Sequence, residues 1–270
     1  MTIHKIIIIV LFVAPLFTSC SKDAQPPSST EERSSLSIEF DNIVGGQNLQ
    51  LNTGSYTNAA GETFSVDRLQ YFVSNISLNK TDGTVYTVPQ DSSYFLVKEG
   101  EEDADHVTLS VPTGEYSSLS FVLGVDSLRS TMDIAKRTGA LDPSGGMDDG
   151  MYWGWNSGYI FFKMEGLSPE APVDPTGKHK FRYHIGGFGG YSAPTINNIK
   201  TVTLNLTPGG VAKVRQGRNS NIHLMVDVLK VFNGSTTVSL AANPQVMFSD
   251  YSVNIANNYA TMFRHDHTEN

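Results

Sequence analysis

The amino-acid sequence predicts an all-β fold, an antiparallel β-sandwich with a few short helices, on three observations. Short runs rich in β-branched and aromatic residues recur along the chain, turn-forming residues separate them, and stretches with helical spacing are few. In order, the runs are Leu36 to Phe40, Gln70 to Leu78, Val85 to Val88, Tyr94 to Lys98, His106 to Val111, Tyr116 to Val125, Tyr152 to Met164, His179 to Ile185, Val202 to Leu206 and Asn221 to Phe232. Asp82-Gly83 is the clearest hairpin signal, because tight turns between strands need residues that tolerate positive φ, and Pro208-Gly209-Gly210 is a second. Residues 36–270 fall within the length that one sandwich occupies, so a second domain is not required. Helix is expected in two places. Thr131 to Arg137 supplies about two turns before Gly139, and Ile255, Tyr259, Met262 and Phe263 recur at helical spacing in a C-terminal capping segment.

At the N-terminus, His4 and Lys5 precede an apolar run, Ile6 to Phe17, that is too short to span a bilayer and reads as the core of a signal peptide. Phe17-Thr18-Ser19-Cys20 places small residues directly before the only cysteine and resembles the lipobox of bacterial lipoprotein precursors. Residues 1–19 are therefore expected to be removed, with Cys20 carrying acyl chains of the palmitate kind, several of which hold a protein on a membrane far more firmly than one. Residues 20–35 are polar and Pro/Ser-rich and read as a flexible tether. The expected location is the cell envelope at the outer membrane, facing the periplasm or the surface. Lys22-Asp23 resembles the acidic export signal of some surface-exposed Bacteroidetes lipoproteins.

Without residues 1–19 the chain carries 18 basic against 27 acidic residues, and a surface this acidic is repelled by phosphate backbones, which excludes nucleic acid as an expected partner. With one cysteine there is no disulfide framework, so stability must come from a core. No Gly-x-Ser-x-Gly elbow is present and the cysteine is used as the anchor, so no enzymatic activity is expected. Gly186-Gly187-Phe188-Gly189-Gly190 lacks phosphate-loop spacing and reads as a turn.

Metal chemistry has better candidates. In the Asn221 run, Ile222, Leu224, Val226 and Val228 share a core-like face while His223, Met225 and Asp227 share the other, which offers His223 and Met225 as a ligand pair or simply as a partly exposed face. Phe181, Tyr183 and Ile185 likewise alternate with Arg182 and His184. His265-x-His267 reads either as a metal clamp or as a disordered tail. The segment Gly150 to Gly166 holds both tryptophans. If extended, it projects Met151, Trp153 and Trp155 from one face, as core packing or as a functional surface. Imidazole and thioether ligands suit copper, and a blue-copper centre is disfavoured for want of a thiolate.

Gly150-Met-Tyr-Trp-Gly-Trp-Asn-Ser-Gly-Tyr159, followed by Phe181-Arg-Tyr-His-Ile-Gly186, resembles the paired signature of the MbnP-like family of copper-binding proteins. Phe64 to Leu78 with Asp82-Gly83, and Asn257 to Phe263, fit the same family, so the resemblance runs over most of the chain from Leu36 to His267. It implies a β-sandwich that binds copper through histidines, in some members with a tryptophan oxidised to kynurenine by a partner haem enzyme. Carried over, it makes His184 the first candidate ligand and Trp153 or Trp155 the modifiable tryptophan; Met151, His223 and Met225 are further metal candidates from the residue pattern alone. The histidine often found in the family's first strand is absent from Leu36 to Phe40. Two functions remain: a copper-handling lipoprotein, and a surface module binding glycan or protein through an exposed Trp153/Trp155 platform.

Overall fold

A computed structural model describes residues 31–144, 150–154 and 158–270. The unit running from Glu32 to Asn270 is mostly β. Its strands are β1 (Arg33–Val44), β2 (Gln47–Asn48), β3 (Tyr56–Thr57), β4 (Thr63–Lys80), β5 (Val85–Thr87), β6 (Tyr94–Lys98), β7 (His106–Pro112), β8 (Gly114–Leu123), β9 (Tyr152–Trp153), β10 (Gly158–Leu167), β11 (Lys180–Gly186), β12 (Lys200–Asn205), β13 (Ala212–Val214), β14 (Ser220–Asp227), β15 (Gln245–Val246) and β16 (Phe263–Glu269). Among the described residues the α-helices α1 (Ser127–Thr131) and α2 (Ser252–Tyr259) accompany them.

The strands form two sheets. The smaller runs β16-β14-β1, with β2 and β7 on the far side of β1, and the larger is built around β12-β8-β4-β10-β11-β15. Pairing is antiparallel throughout except for β1 with β14 and β11 with β15, so both sheets are mixed. The parallel β1–β14 pair joins strands far apart in sequence, which no hairpin signal announces.

Alternation drives the sandwich closed. Leu36, Ile38 and Phe40 of β1, Ile222, Leu224 and Val226 of β14, and Phe181, Tyr183 and Ile185 of β11 are all buried in one core. At its centre Phe40 meets the rings of Tyr71, Phe121 and Phe263 edge-on, with centroids 5.9 to 6.3 Å apart. Burying one such ring is worth about 1.5–3 kcal/mol, and each edge-to-face pair adds roughly 0.5–1.5 kcal/mol. Phe263 is the first residue of β16, so this knot holds the strand that follows it.

The expected elements shift in five places, the first being that Arg33 to Ser35, expected in the tether, already belong to β1 and pair with β7. The Tyr152 to Met164 run is not one strand but a hairpin, β9 turning back onto β10 with Trp153 opposite Gly158, whose φ of +135° only glycine adopts readily. The Asn221 run leaves the sheet after Asp227, whose carboxylate accepts from the backbone N–H groups of Leu229 and Gly45 and caps a 3-10 turn. Thr131 to Arg137 is shared between the end of α1 and a 3-10 turn at Ile134–Lys136. The C-terminal segment forms α2 with Ile255 and Tyr259 buried, but Phe263 opens β16 rather than prolonging a helix. Cys20, Trp155 and the expected signal peptide lie outside the described residues.

Candidate metal centre

The outer face of the smaller sheet carries a row of titratable side chains set by strand register. His106 on β7 lies opposite Glu39 on β1, Glu39 opposite His223 on β14, and His223 opposite His267 on β16. His223 stands on the solvent side because its neighbours Ile222 and Leu224 take the core.

A bulge then brings in Asp266. His267 pairs with His223 and His265 with Leu224, so Asp266 is the extra residue between them. A bulge interrupts alternation and re-aims a side chain. In consequence Asp266 and His267 both face His223, while His265 turns away against Gly209, where an added Cβ would lie 2.8 Å from its ring. Of the two readings of His265-x-His267, the clamp is not what the register favours: the close group of three takes His267 with His223 and Asp266 and leaves out His265. The expected tail is instead an edge strand.

Ligand atoms of His223, Asp266 and His267 all lie within 4.8 Å of one another, the one such group of three among the described residues. The His223 and His267 rings are 4.8 Å apart, and Asp266 Oδ2 is 2.9 Å from His267 Nδ1 and 3.6 Å from His223 Nδ1. Nδ1 of His223 is buried without a hydrogen-bond partner, a state that costs about 1–3 kcal/mol unless a ligand relieves it. On the other edge of the same ring, Nε2 lies 3.6 Å from Asp41 Oδ2 and 3.7 Å from Glu39 Oε1.

Electrostatics follow from these contacts. Hydrogen bonds from His267 and Arg264 hold the Asp266 carboxyl at about 2, and the bond to Asp266 raises His267 above its ordinary value. Burial opposes the charged form of His106, but its hydrogen bond to Asp105 and the charges of Asp105 and Glu39 leave it raised. Burial lowers His265.

The remaining candidates are elsewhere. Met225 shares the face of His223 but stands one step along, opposite Asp41 and Arg264. His184 lies on the outer face of the larger sheet with its Nε2 2.6 Å from Glu165 Oε1. Met151 is fully buried with Trp153, Tyr159, Phe161 and Phe188 in a second apolar cluster. Trp153 is only 8% exposed, packs against Phe248, and leaves no room for a Cβ on Gly186, whose substituent would lie 2.8 Å from the indole. The two blocks of the sequence signature therefore meet in space, with Trp153 over Gly186 and His184 two residues away on the same strand face. That burial removes Trp153 from an exposed contact platform, since the β9–β10 hairpin folds it onto the sheet. A cleft lined by Tyr94, Arg129, Lys136 and Leu141 holds none of these candidates.

The His184–Glu165 pair has a testable signature. The hydrogen bond from His184 holds the Glu165 carboxyl down at about 2 from 4.5, against the opposing effect of burial. A depressed carboxyl stabilises the fold above its unfolded value and loses that contribution as pH falls through the folded one. Discounted for solvent screening, Glu165→Gln should cost about 1 kcal/mol at pH 7 in urea unfolding, and the deficit should shrink between about pH 4.5 and pH 2. A deficit that stays constant over that window would remove the pair from the account.

Fold and cluster together define a mostly-β sandwich protein with a histidine–carboxylate group on the outer face of one sheet. The MbnP family model matches residues 33–248, and the chain belongs to that family. Among solved structures it is similar to MbnP from Methylosinus trichosporium, at 16% identity and a TM-score of 0.52, covering 81% of this chain and 82% of that one, a likeness of fold. Comparison with curated proteins finds no match. The matched span includes His184 and His223 but ends before β16, so Asp266 and His267 lie beyond it.

Proposed function

We propose that this protein is a non-catalytic, lipid-anchored copper-handling protein of the cell envelope, in which His223, His267 and Asp266 hold the ion. Family membership fits a copper-related role. The observation that carries the assignment to residues is the His223 ring, buried at Nδ1 without a partner and facing Asp266 and His267. Two imidazoles and a carboxylate are a donor set that binds first-row metals, with copper at the top of the divalent affinity order. When bound, copper would supply a tightly held, exchangeable cargo; the chain's residues supply the donors, and Arg264, 2.9 Å from Asp266 Oδ1, keeps the other carboxylate oxygen free to face the histidines. Anchoring through Cys20 would place this surface where envelope copper is encountered.

A second reading, favoured by the contact of Trp153 with Gly186 beside His184, keeps the ion at the site the family resemblance implies. One titration separates the two. Copper binding by the purified protein, measured by competition with a chromophoric chelator, should weaken at least tenfold in His223→Ala/His267→Ala and stay unchanged in His184→Ala. The opposite pattern would move the ion to His184.

A further inference from the structure

We infer that the cleft beside α1 binds a small organic carboxylate with an apolar body, held by the guanidinium of Arg129. The cleft encloses about 580 Å³, within the range of ligand-binding pockets, and Phe95, Met132, Ala140 and Leu141 give it an apolar wall. Its charged lining is Arg129 and Lys136 against Asp91, a positive balance on a chain whose formal net charge is −8. None of the residues proposed to hold copper lines it, so the two readings stand or fall separately.

The state of the guanidinium carries the inference. Arg129 is only 6% exposed and stacks on the ring of Tyr94 at 5.0 Å. Tyr94 is fixed in turn, its hydroxyl donating to Asp126, which caps α1 by accepting from the backbone N–H of Arg129 at 3.0 Å. Nη1 meets the thioether of Met132 at 3.3 Å, a weak acceptor, and Nη2 donates to one oxygen of Asp91. Nε, beside Nη2 on the same edge of the fork, is buried without a hydrogen-bond partner. A planar carboxylate can span both donors of such an edge with two parallel hydrogen bonds. Asp91 makes only one of them, from a side chain that is 89% exposed on the 3-10 turn Gln90–Ser92, and when that side chain swings into water both donors open. A ligand carboxylate then completes the edge that Asp91 leaves half used, while its apolar body covers Phe95 and Leu141. One negative charge replaces another at Arg129, which suits a monoanion better than a doubly charged phosphate ester next to Asp91 and Asp126.

The test measures binding of phenylbutyrate to the purified full chain by calorimetry, with phenylbutanol, acetate and phenyl phosphate for comparison. Phenylbutyrate should bind about tenfold or more tightly than phenylbutanol or acetate, because only it brings both the charge-assisted bonds and the apolar body. Asp91→Ala, at an exposed side chain, should strengthen its binding by about threefold or more through loss of the competing carboxylate. Arg129→Gln should weaken it by about tenfold or more, and Arg129→Lys nearly as much, since lysine keeps the charge but not the fork. In nuclear magnetic resonance spectra, the arginine Nε–H signal that disappears in Arg129→Lys should move downfield when phenylbutyrate is added to the wild type. Circular dichroism checks the folding of the Arg129 variants, and where they do not fold Asp91→Ala alone decides. Absence of binding at about millimolar phenylbutyrate, equal binding of phenylbutanol, or binding that Asp91→Ala leaves unchanged overturns the inference. Tighter binding of phenyl phosphate than of phenylbutyrate overturns the carboxylate class.

Discussion

Gly166→Ala is expected to destabilise the fold by about 3 kcal/mol, at the upper end of what overpacking a well-filled site costs. The position lies where β10 runs past a bulge in β4: Glu165 pairs with Arg68 and Gly166 with Val66, so Asp67 is unmatched. The bulge carries the backbone of β4 in close. A Cβ on Gly166 would lie 1.9 Å from the carbonyl oxygen of Ser65 and 2.8 Å from the Phe181 ring, so the obstacle is main chain and a buried aromatic rather than a flexible side chain. The φ of Gly166 is not in the left-handed region, which means the penalty is steric and not conformational. For a domain of this length, about 3 kcal/mol corresponds to a drop in Tm of roughly 6–12 °C. Calorimetry that finds the variant within about 2 °C of the wild type would show that β4 and β10 can separate without cost.

Glu62→Ala is expected to cost a similar amount for a different reason. Glu62 is buried at the start of β4, and its carboxylate accepts from Ser239 Oγ, the backbone N–H groups of Leu240 and Ala241, and Asn58 Nδ2, at 2.6 to 3.0 Å. It thereby pins the segment after Phe232 to the β3–β4 hairpin. Removing the acceptor strands buried donors, each costing roughly 1–3 kcal/mol, partly relieved by entering water, so a net loss of about 3 kcal/mol is expected at pH 7. Burial alone would raise this carboxyl, but the bonds from Ala241, Asn58, Ser239 and Leu240 outweigh it and hold the group below its ordinary value of 4.5. Its contribution is therefore full above pH 4.5 and lost as pH falls through the depressed folded value. Urea unfolding should show the gap between wild type and variant closing as pH drops below about 4.5. A gap that is independent of pH would mean that packing, not the charge, is what the side chain supplies.

Much of the sandwich was legible because alternation is a local property. The β14 face assignment of Ile222, Leu224 and Val226 against His223 and Met225 needed only a period of two, and the structure repeats it residue for residue. The same holds for Phe181, Tyr183 and Ile185 against His184. The Tyr152 to Met164 run misled because aromatic content marks strand character on both arms of a hairpin, and among the described residues only Gly154 and Gly158 signal the turn within it. β16 was missed because only Phe263 in that strand is a large apolar residue; Arg-His-Asp-His-Thr-Glu has the composition of a tail, and pairing with β14 is what makes it a strand.

The sequence by itself determined the fold class, the family and the outward face of His223, since each follows from short-range pattern or from motif order. Only the tertiary structure decided which side chains stand together. Glu39 reaches His223 through a parallel pairing of strands separated by more than 170 residues, and His267 reaches it through an edge strand anchored by Phe263 in an aromatic knot beneath the sheet. The bulge at Asp266 then chooses His267 over His265. Register is fixed by burial of one face against a distant core, so a one-residue slip would turn the whole row inward, and no local pattern records that choice.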